Sequence, residues 1–223
     1  MGMLQNVLKI KERIAQAAVR AHRDPSSVKL IAVVKEASLE QVKNLVDLGL
    51  SDLAENYAQQ LVKKYEVAPS AVWHFIGRIQ TNKIKYIVPR CEYIHSVCRE
   101  EEIVEIDRIA SRLKKVQKIL IEVNVSGEQS KAGVEPDGVV RLLNFAKNFS
   151  SIEVVGLMTM APLVEDAEKV RWVFRKLRQM RDEITKEWPG VVHLSMGMTN
   201  DFEVAIEEGA TMVRIGRAIL KGG

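Results

Sequence analysis

Short apolar runs that indicate buried strands alternate with amphipathic, helix-like stretches along the whole chain. The first run, "LIAVV" at residues 30–34, is followed by a helical pattern that begins at Ser38, where Gln41 completes a capping box. The same order recurs at "DLAENY", "VWHFIG", "YIHSV", "KILIEVNVS", "IEVVGLMTMA", "VVHLSMG" and "TMVRIG". Because strands that alternate with helices pair in parallel, the sequence predicts an α/β fold built on a parallel sheet.

Eight such units within 223 residues predict one closed (β/α)₈ TIM barrel. Residues 1–22 precede the first strand and show helical spacing, so we expect an additional N-terminal helix. No linker or change of composition divides the chain, which predicts a single domain over residues 1–223. An open, doubly wound sheet fits the same alternation and stays as the alternative.

Composition argues against several classes of partner. The net charge is only +4, basic and acidic residues are mixed, and aromatic residues make up 5% of the chain. This pattern lacks the basic stripe and stacking aromatics that are typical of nucleic-acid binding. The sequence has no signal-peptide core and no run as long as a membrane span. Cys91 and Cys98 match no metal or redox spacing. We therefore predict a cytoplasmic protein that binds neither nucleic acid nor membrane.

Lys35 ends the first predicted strand directly after an apolar run. In a TIM barrel this position lies at the carboxyl end of the strands, where active sites are built. A lysine amine there can be desolvated and made nucleophilic, although a lone lysine at a strand end is more often simply solvated. The chemistry therefore depends on what else lies at the same end of the barrel.

The last two strand ends carry a pattern typical of phosphate binding. Ser195, Gly197 and Thr199 form a turn that leads into a helix, and Gly216 follows the eighth strand. Such turns offer backbone N–H groups and hydroxyls to an anion, although a simple helix cap would use the same residues. Arg214 within an apolar strand indicates a planar or anionic partner. A phosphate site opposite a strand-end lysine predicts a phosphorylated aldehyde held as a Schiff base.

The chain also resembles a known family, the pyridoxal phosphate homeostasis proteins, which look like the isolated barrel of bacterial alanine racemase. The matching stretches run in order over nearly the whole chain. They are "LIAVVK", "ENYAQQ", "WHFIGRIQTNK", "IHSV", "ILIEVNVSGEQSKAGV", "VVGLMTMAP" and "HLSMGMTNDFEVAIEEGATMVRIGRAI". The resemblance implies pyridoxal 5′-phosphate (PLP) as the cofactor, bound as an aldimine of Lys35.

The resemblance also implies roles for other residues. Arg214 would face the pyridine nitrogen, and Asn56 would line the ring side of the pocket with Met158 and His74 nearby. The remaining residues would hold the phosphate; they are Ser195, Gly197, Gly216 and Arg217. Two positions depart from the family pattern. Glu36 follows the lysine in place of threonine, and Thr199 replaces the usual serine while keeping a hydroxyl.

Three functions are compatible with these residues. The first is a protein of intracellular PLP homeostasis that holds PLP without robust catalysis and passes it to PLP-requiring apo-enzymes. The second is a PLP-dependent amino-acid racemase, which needs a second base that we expect a missing domain to supply. The third is a phosphosugar isomerase or aldolase with Glu55 as general base. We favour the first, not an enzyme, and expect a monomer because the racemase dimer depends on that domain.

Overall fold

The computed structural model describes residues 2–128 and 131–221, and its parallel strands form a closed barrel in chain order. The strands are β1 (Lys29–Val33), β2 (Asp52–Glu55), β3 (Val72–Phe75), β4 (Tyr93–Val97), β5 (Gln117–Glu122), β6 (Ile152–Met158), β7 (His193–Ser195) and β8 (Met212–Ile215). Pairing of β8 with β1, which sets Ile31 opposite Arg214, closes the ring. The predicted TIM barrel is confirmed, and the alternative of an open sheet is wrong.

Helices surround the barrel and connect its strands. Within the described residues they are α1 (Met3–Arg20), α2 (Leu39–Asp47), α3 (Ala58–Val67), α4 (Ile84–Ile87), α5 (Glu100–Arg112), α6 (Val139–Ala146), α7 (Arg171–Ile184), α8 (Phe202–Glu207) and α9 (Arg217–Leu220), with 3₁₀ turns at Pro25–Ser27, Thr81–Lys83, Pro136–Gly138 and Ala167–Val170. The predicted N-terminal helix is α1, which packs on α8 and α9. None of the described helices is long and apolar enough to cross a membrane.

Alternation of side chains along the strands divides the core into two layers. Ile31, Ala54, Leu120 and Met212 belong to a small cluster inside the barrel. Their neighbours along each strand point the other way and pack against the helices in a much larger cluster. Because the strands are parallel, their carboxyl ends all open on one face of the barrel, and that face positions the site.

The structure differs from the sequence prediction at three places. Strand β1 ends at Val33, because the chain turns at residues 34–37, where the Ala37 amide donates to the Val34 carbonyl. The helical spacing of "RIQTNKIKYIV" at residues 78–88 predicts a helix after β3, but only the short α4 forms there, since Ile79 is buried in the core and its carbonyl accepts a hydrogen bond from Arg99. The helical turn α9, which was not predicted, follows β8 directly. All three differences lie at strand ends, where periodicity is too short to define a boundary.

Candidate functional site

A cavity of about 250 Å³ lies at the carboxyl end of the barrel. Five of the predicted site residues line it: Lys35, Asn56, Arg214, Gly216 and Arg217. Its other walls come from the loops after β6 and β7. Residues from β1, β2 and β8 therefore meet at one place, as the barrel prediction requires. A wider depression of about 420 Å³ lies near the amino ends of β3 and β4, where Lys29 is already paired with Asp52.

The amine of Lys35 is available at the cavity. Lys35 follows the last residue of β1 by two positions. Its Nζ forms no hydrogen bond or ion pair with the described residues. Glu36, the departure from the family pattern, points to Lys221, whose Nζ lies 2.9 Å from Glu36 Oε2. This hydrogen bond lowers the pKa of Glu36. The acidic neighbour is thus engaged with the C-terminal segment and leaves the Lys35 amine free.

A buried ion pair fixes the two loops that carry Lys35 and Asn56. Lys64 on α3 donates to Glu55 Oε2 at 2.7 Å and to the carbonyl of Val34 at 2.5 Å. The other oxygen of Glu55 accepts hydrogen bonds from the amides of Asn56 and Tyr57 at 2.7 and 3.1 Å. We call Lys64 and Glu55 the clamp. Glu55 is therefore turned away from the cavity, which removes the general base that the isomerase or aldolase hypothesis needed.

Asn56 presents an unsatisfied polar atom at the cavity. Its Oδ1 is buried and has no hydrogen-bond partner among the described residues. Gly77, after β3, packs against the Asn56 backbone so closely that a Cβ at this position would lie 2.0 Å from the Asn56 carbonyl oxygen. An unpaired buried amide is costly in the absence of a ligand. Backbone contacts therefore fix the position of Asn56, and its Oδ1 remains free to accept a hydrogen bond from a ligand.

The turn after β7 offers donors to an anion. Met198, Thr199 and Asn200 line the cavity, and the backbone N–H groups of Thr199 and Asn200 donate to no described residue. Asp201 caps this turn by accepting the Met198 amide at 2.6 Å, while burial raises its pKa. The Gly216 and Arg217 amides, whose residues also line the cavity, likewise donate to none of the described residues. Two sets of unpaired N–H groups and the Thr199 hydroxyl therefore belong to residues that line the same cavity.

Gly197 and Ser195 do not line the cavity, so their assignment to the phosphate stays a prediction from the resemblance. Gly197 has φ +94°, and a Cβ there would lie 2.7 Å from Ala205 on α8, so it allows the turn to pack on that helix. The Ser195 side chain points into the barrel, where its hydroxyl bonds to His95 and Arg214. Thr199 is the hydroxyl residue that reaches the cavity.

Arg214 is the buried charge of the site. Its Nη1 donates to Ser195 Oγ at 2.5 Å and its Nη2 to the Thr159 carbonyl at 3.0 Å. Burial lowers the pKa of Arg214 to about 10, against the opposing charges of Glu122 and Asp201, so the guanidinium stays charged at neutral pH. A fixed donor-only cation therefore faces the cavity.

The two residues placed near the ring by resemblance lie elsewhere. His74 lies within the barrel, bonded to Asp52 and His95, and Met158 is buried in the inner core cluster. Neither lines the cavity. Both are on strands that are followed by cavity-lining residues, Ile76 after β3 and Met160 after β6. Sequence position alone does not show whether such a side chain points into the core or into the cavity. The clamp residue Lys64 was missed altogether, because its partners lie 9 and 30 residues away in the chain.

Glu122, the last residue of β5, gives a pH-dependent prediction. Burial raises its pKa from 4.5 to about 7, despite the nearby charge of Arg214. Because the pKa of Glu122 is higher in the folded state than in the unfolded state, its protonated carboxyl stabilises the fold. This contribution is complete below about pH 4.5 and is lost as the pH rises through about 7. Glu122→Gln removes this titration. We therefore expect the free energy of unfolding of the variant, relative to that of the parent, to rise by up to about 3 kcal/mol when the pH is raised from about 5 to about 8.

Urea unfolding at the two pH values measures this difference. Glu153→Gln is the matched control, because Glu153 is an exposed glutamate on the neighbouring strand β6. Equal stability differences for Glu122→Gln at both pH values would contradict the assigned titration.

Comparison with known proteins places the whole chain in one group. Residues 6–222 match the alanine racemase N-terminal domain family. The pyridoxal phosphate homeostasis protein of Aquifex aeolicus is 44% identical over 219 residues, covering 97% of this chain and 96% of that protein. The corresponding protein of Pseudomonas aeruginosa is 37% identical and covers 96% of this chain and 93% of its own length.

Solved structures agree in fold. PipY of Synechococcus elongatus with PLP bound is 30% identical, with a TM-score of 0.81 over 94% of this chain and 99% of that chain. A protein of unknown function from Bifidobacterium adolescentis is 34% identical with a TM-score of 0.92, covering 98% of this chain and 94% of that one. Alanine racemase of Clostridium difficile has a TM-score of 0.74 at 14% identity, covering 95% of this chain and 56% of that one, which shows a shared barrel only.

Proposed function

The chain belongs to the family of pyridoxal phosphate homeostasis proteins, and from this premise we propose that it binds PLP at the cavity and holds it as a Schiff base of Lys35 without robust catalysis. The neutral amine of Lys35 would form a C=N bond in place of the C=O bond of the aldehyde, and the aldehyde oxygen would leave as water with the two amine protons. The observation that carries the proposal is the meeting of a free lysine amine and unpaired anion-binding donors at one cavity.

The residues at the cavity fit PLP in three ways. The unpaired N–H groups of Thr199, Asn200, Gly216 and Arg217 suit the phosphate, with the Thr199 hydroxyl and the Arg217 charge beside them. The Asn56 amide, whose Oδ1 is buried and unpaired, suits a polar substituent of the ring. These groups would fix the phosphate and ring so that the aldehyde faces Lys35.

Arg214 favours holding the cofactor over activating it. When bound, PLP supplies an aldehyde for the amine and a pyridine ring that withdraws electrons most strongly when its nitrogen is protonated. Arg214 donates hydrogen bonds and accepts none, so it cannot keep a proton on that nitrogen as a carboxylate would. A weak electron sink is what a protein that stores PLP requires.

The racemase alternative requires a base on each face of the substrate carbon. The described residues that line the cavity include Lys35 and one carboxylate, Asp201, which is engaged with the Met198 amide. Tyr57, the tyrosine nearest the carboxyl end of a strand, is exposed and does not line the cavity. The cavity thus presents one free base, which supports holding over racemisation.

Reduction with borohydride tests the proposal directly. The purified protein is incubated with PLP, reduced, digested and mapped by mass spectrometry, and we expect a pyridoxyl adduct on Lys35. The same loaded protein, incubated with amino acids in D₂O, should show no sustained exchange at Cα. An adduct confined to other lysines would contradict the site, and sustained exchange would favour the racemase.

Four further expectations complete the proposal. We propose that the chain is one domain over residues 1–223 and acts as a monomer in the cytoplasm. PLP-requiring apo-enzymes are the proposed recipients, because a reversible Schiff base can release its aldehyde to another amine.

A further inference from the structure

A continuous row of hydrogen bonds runs through the inside of the barrel from Arg214 to the opposite end. Arg214 Nη1 lies 2.5 Å from Ser195 Oγ, and Ser195 Oγ lies 2.8 Å from His95 Nδ1. His95 Nε2 lies 2.9 Å from His74 Nδ1, and His74 Nε2 lies 3.0 Å from Asp52 Oδ1. We call these five side chains the relay. Ser195, His74 and His95 are fully buried.

The ends of the relay determine where its protons lie. Arg214 can only donate, and ionised Asp52 can only accept. Burial opposes ionisation of Asp52, but hydrogen bonds from His74 and Lys29 keep its pKa at about 2. If Ser195 accepts from Arg214 and donates to His95, then His95 must donate from Nε2 to His74. His74 must in turn donate from Nε2 to Asp52, so that every atom of the row is paired.

The opposite arrangement leaves a buried group unsatisfied. If His95 carried its proton on Nδ1, the Ser195 hydroxyl would have no acceptor among the described residues. The unprotonated His95 Nε2 would then need a proton donor at His74 Nδ1, while His74 Nε2 must still donate to Asp52. His74 would therefore have to be a doubly protonated imidazolium. Burial lowers the pKa of both His74 and His95, which disfavours an imidazolium. One arrangement of protons therefore satisfies the whole row.

We propose that Asp52, His74, His95 and Ser195 are positioning residues that hold the guanidinium of Arg214 toward the cavity, with both histidines fixed as neutral Nε2–H tautomers. This inference rests on the proposed function for its consequence at the cofactor. Without the Ser195 hydroxyl, one N–H of the buried guanidinium loses its acceptor, and only the hydrogen bond to the Thr159 carbonyl still holds Arg214 toward the pyridine side of the cavity. The relay thus anchors a cavity residue to a carboxylate at the far end of the barrel.

The tautomers can be measured without any cofactor. The chain has four histidines, so long-range ¹H–¹⁵N spectra of histidine-labelled protein resolve each ring. We expect His74 and His95 as neutral Nε2–H tautomers at neutral pH in the full chain. Ser195→Ala should move the His95 Nδ1 resonance, because that nitrogen loses its only donor. Ser96→Ala is the matched control, since the buried Ser96 hydroxyl donates to the Gly77 carbonyl outside the relay.

The second readout is the bound cofactor. Because Ser195→Ala removes one hydrogen bond to a charged group, we expect this variant to bind PLP about tenfold or more weakly than the parent. The visible absorption band of the bound PLP should also shift. Asp52→Asn keeps an acceptor for His74 and should retain the tautomers, whereas Asp52→Ala should lose them. An Nδ1–H tautomer or an imidazolium at either histidine overturns the relay. Failure of the parent protein to bind PLP would overturn the proposed function and leave the tautomer test intact.

Discussion

Lys35→Ala should eliminate the covalent PLP adduct completely while leaving the fold unchanged. Lys35 is exposed and its amine bonds to no described residue, so truncation removes little packing and should change the free energy of unfolding by less than about 0.5 kcal/mol. The imine needs this amine, because no other lysine side chain of the described residues lines the cavity. Borohydride reduction should therefore trap no adduct at the site, and the visible band of bound PLP should be lost.

Two control variants separate the possible reasons for this loss. Lys35→Arg keeps a positive charge at the cavity but cannot form the imine, so it should retain some non-covalent affinity for the phosphate and give no trapped adduct. Lys43→Ala removes an exposed lysine on α2 and should bind PLP like the parent. A trapped adduct of undiminished yield in Lys35→Ala would show that another lysine carries the cofactor.

The barrel and the main site residues could be predicted because they depend on short, regular patterns. Alternating apolar runs determine parallel strands, and parallel strands bring Lys35, Asn56 and Arg214 to one end of the barrel. The same reasoning assigned Ser195 to the phosphate, although its side chain is on the inward face of β7 beside His95. A sequence shows that a hydroxyl stands at a strand end, but the barrel's shear decides whether it faces core or cavity.

The resemblance placed His74 near the cavity, but the relay and the clamp escaped prediction because their hydrogen bonds join distant parts of the chain. His74, His95 and Asp52 are separated by 21 to 22 residues, and each alone is typical of an ordinary core or strand-start position. They form a hydrogen-bonded row only because β2, β3 and β4 are neighbours in the closed barrel, which brings the three side chains together. The clamp could not be predicted for the same reason. In the sequence, Lys64 on α3 looks like any lysine on the polar face of a helix, yet its side chain is only 3% exposed.

Lys64→Met should produce the largest loss of stability among these variants. Lys64 is the partner of the fully buried Glu55 carboxylate and of the Val34 carbonyl. Removing one member of a buried ion pair leaves an uncompensated charge, which costs about 3–5 kcal/mol. Urea unfolding measures the effect, and Lys63→Met is the matched control, because Lys63 is the exposed neighbour on the same helix and should change stability by less than about 0.5 kcal/mol.

A double variant distinguishes lost charge pairing from lost packing. In Lys64→Met with Glu55→Gln, the glutamine oxygen can still accept the Asn56 and Tyr57 amides, but no unpaired charge remains. We therefore expect the double variant to be more stable than Lys64→Met alone. If both are equally destabilised, packing of the lysine stem accounts for the loss. Because the clamp also fixes the loops that carry Lys35 and Asn56, the stable double variant should still bind PLP more weakly than the parent, which ties the geometry of the cavity to an ion pair outside it.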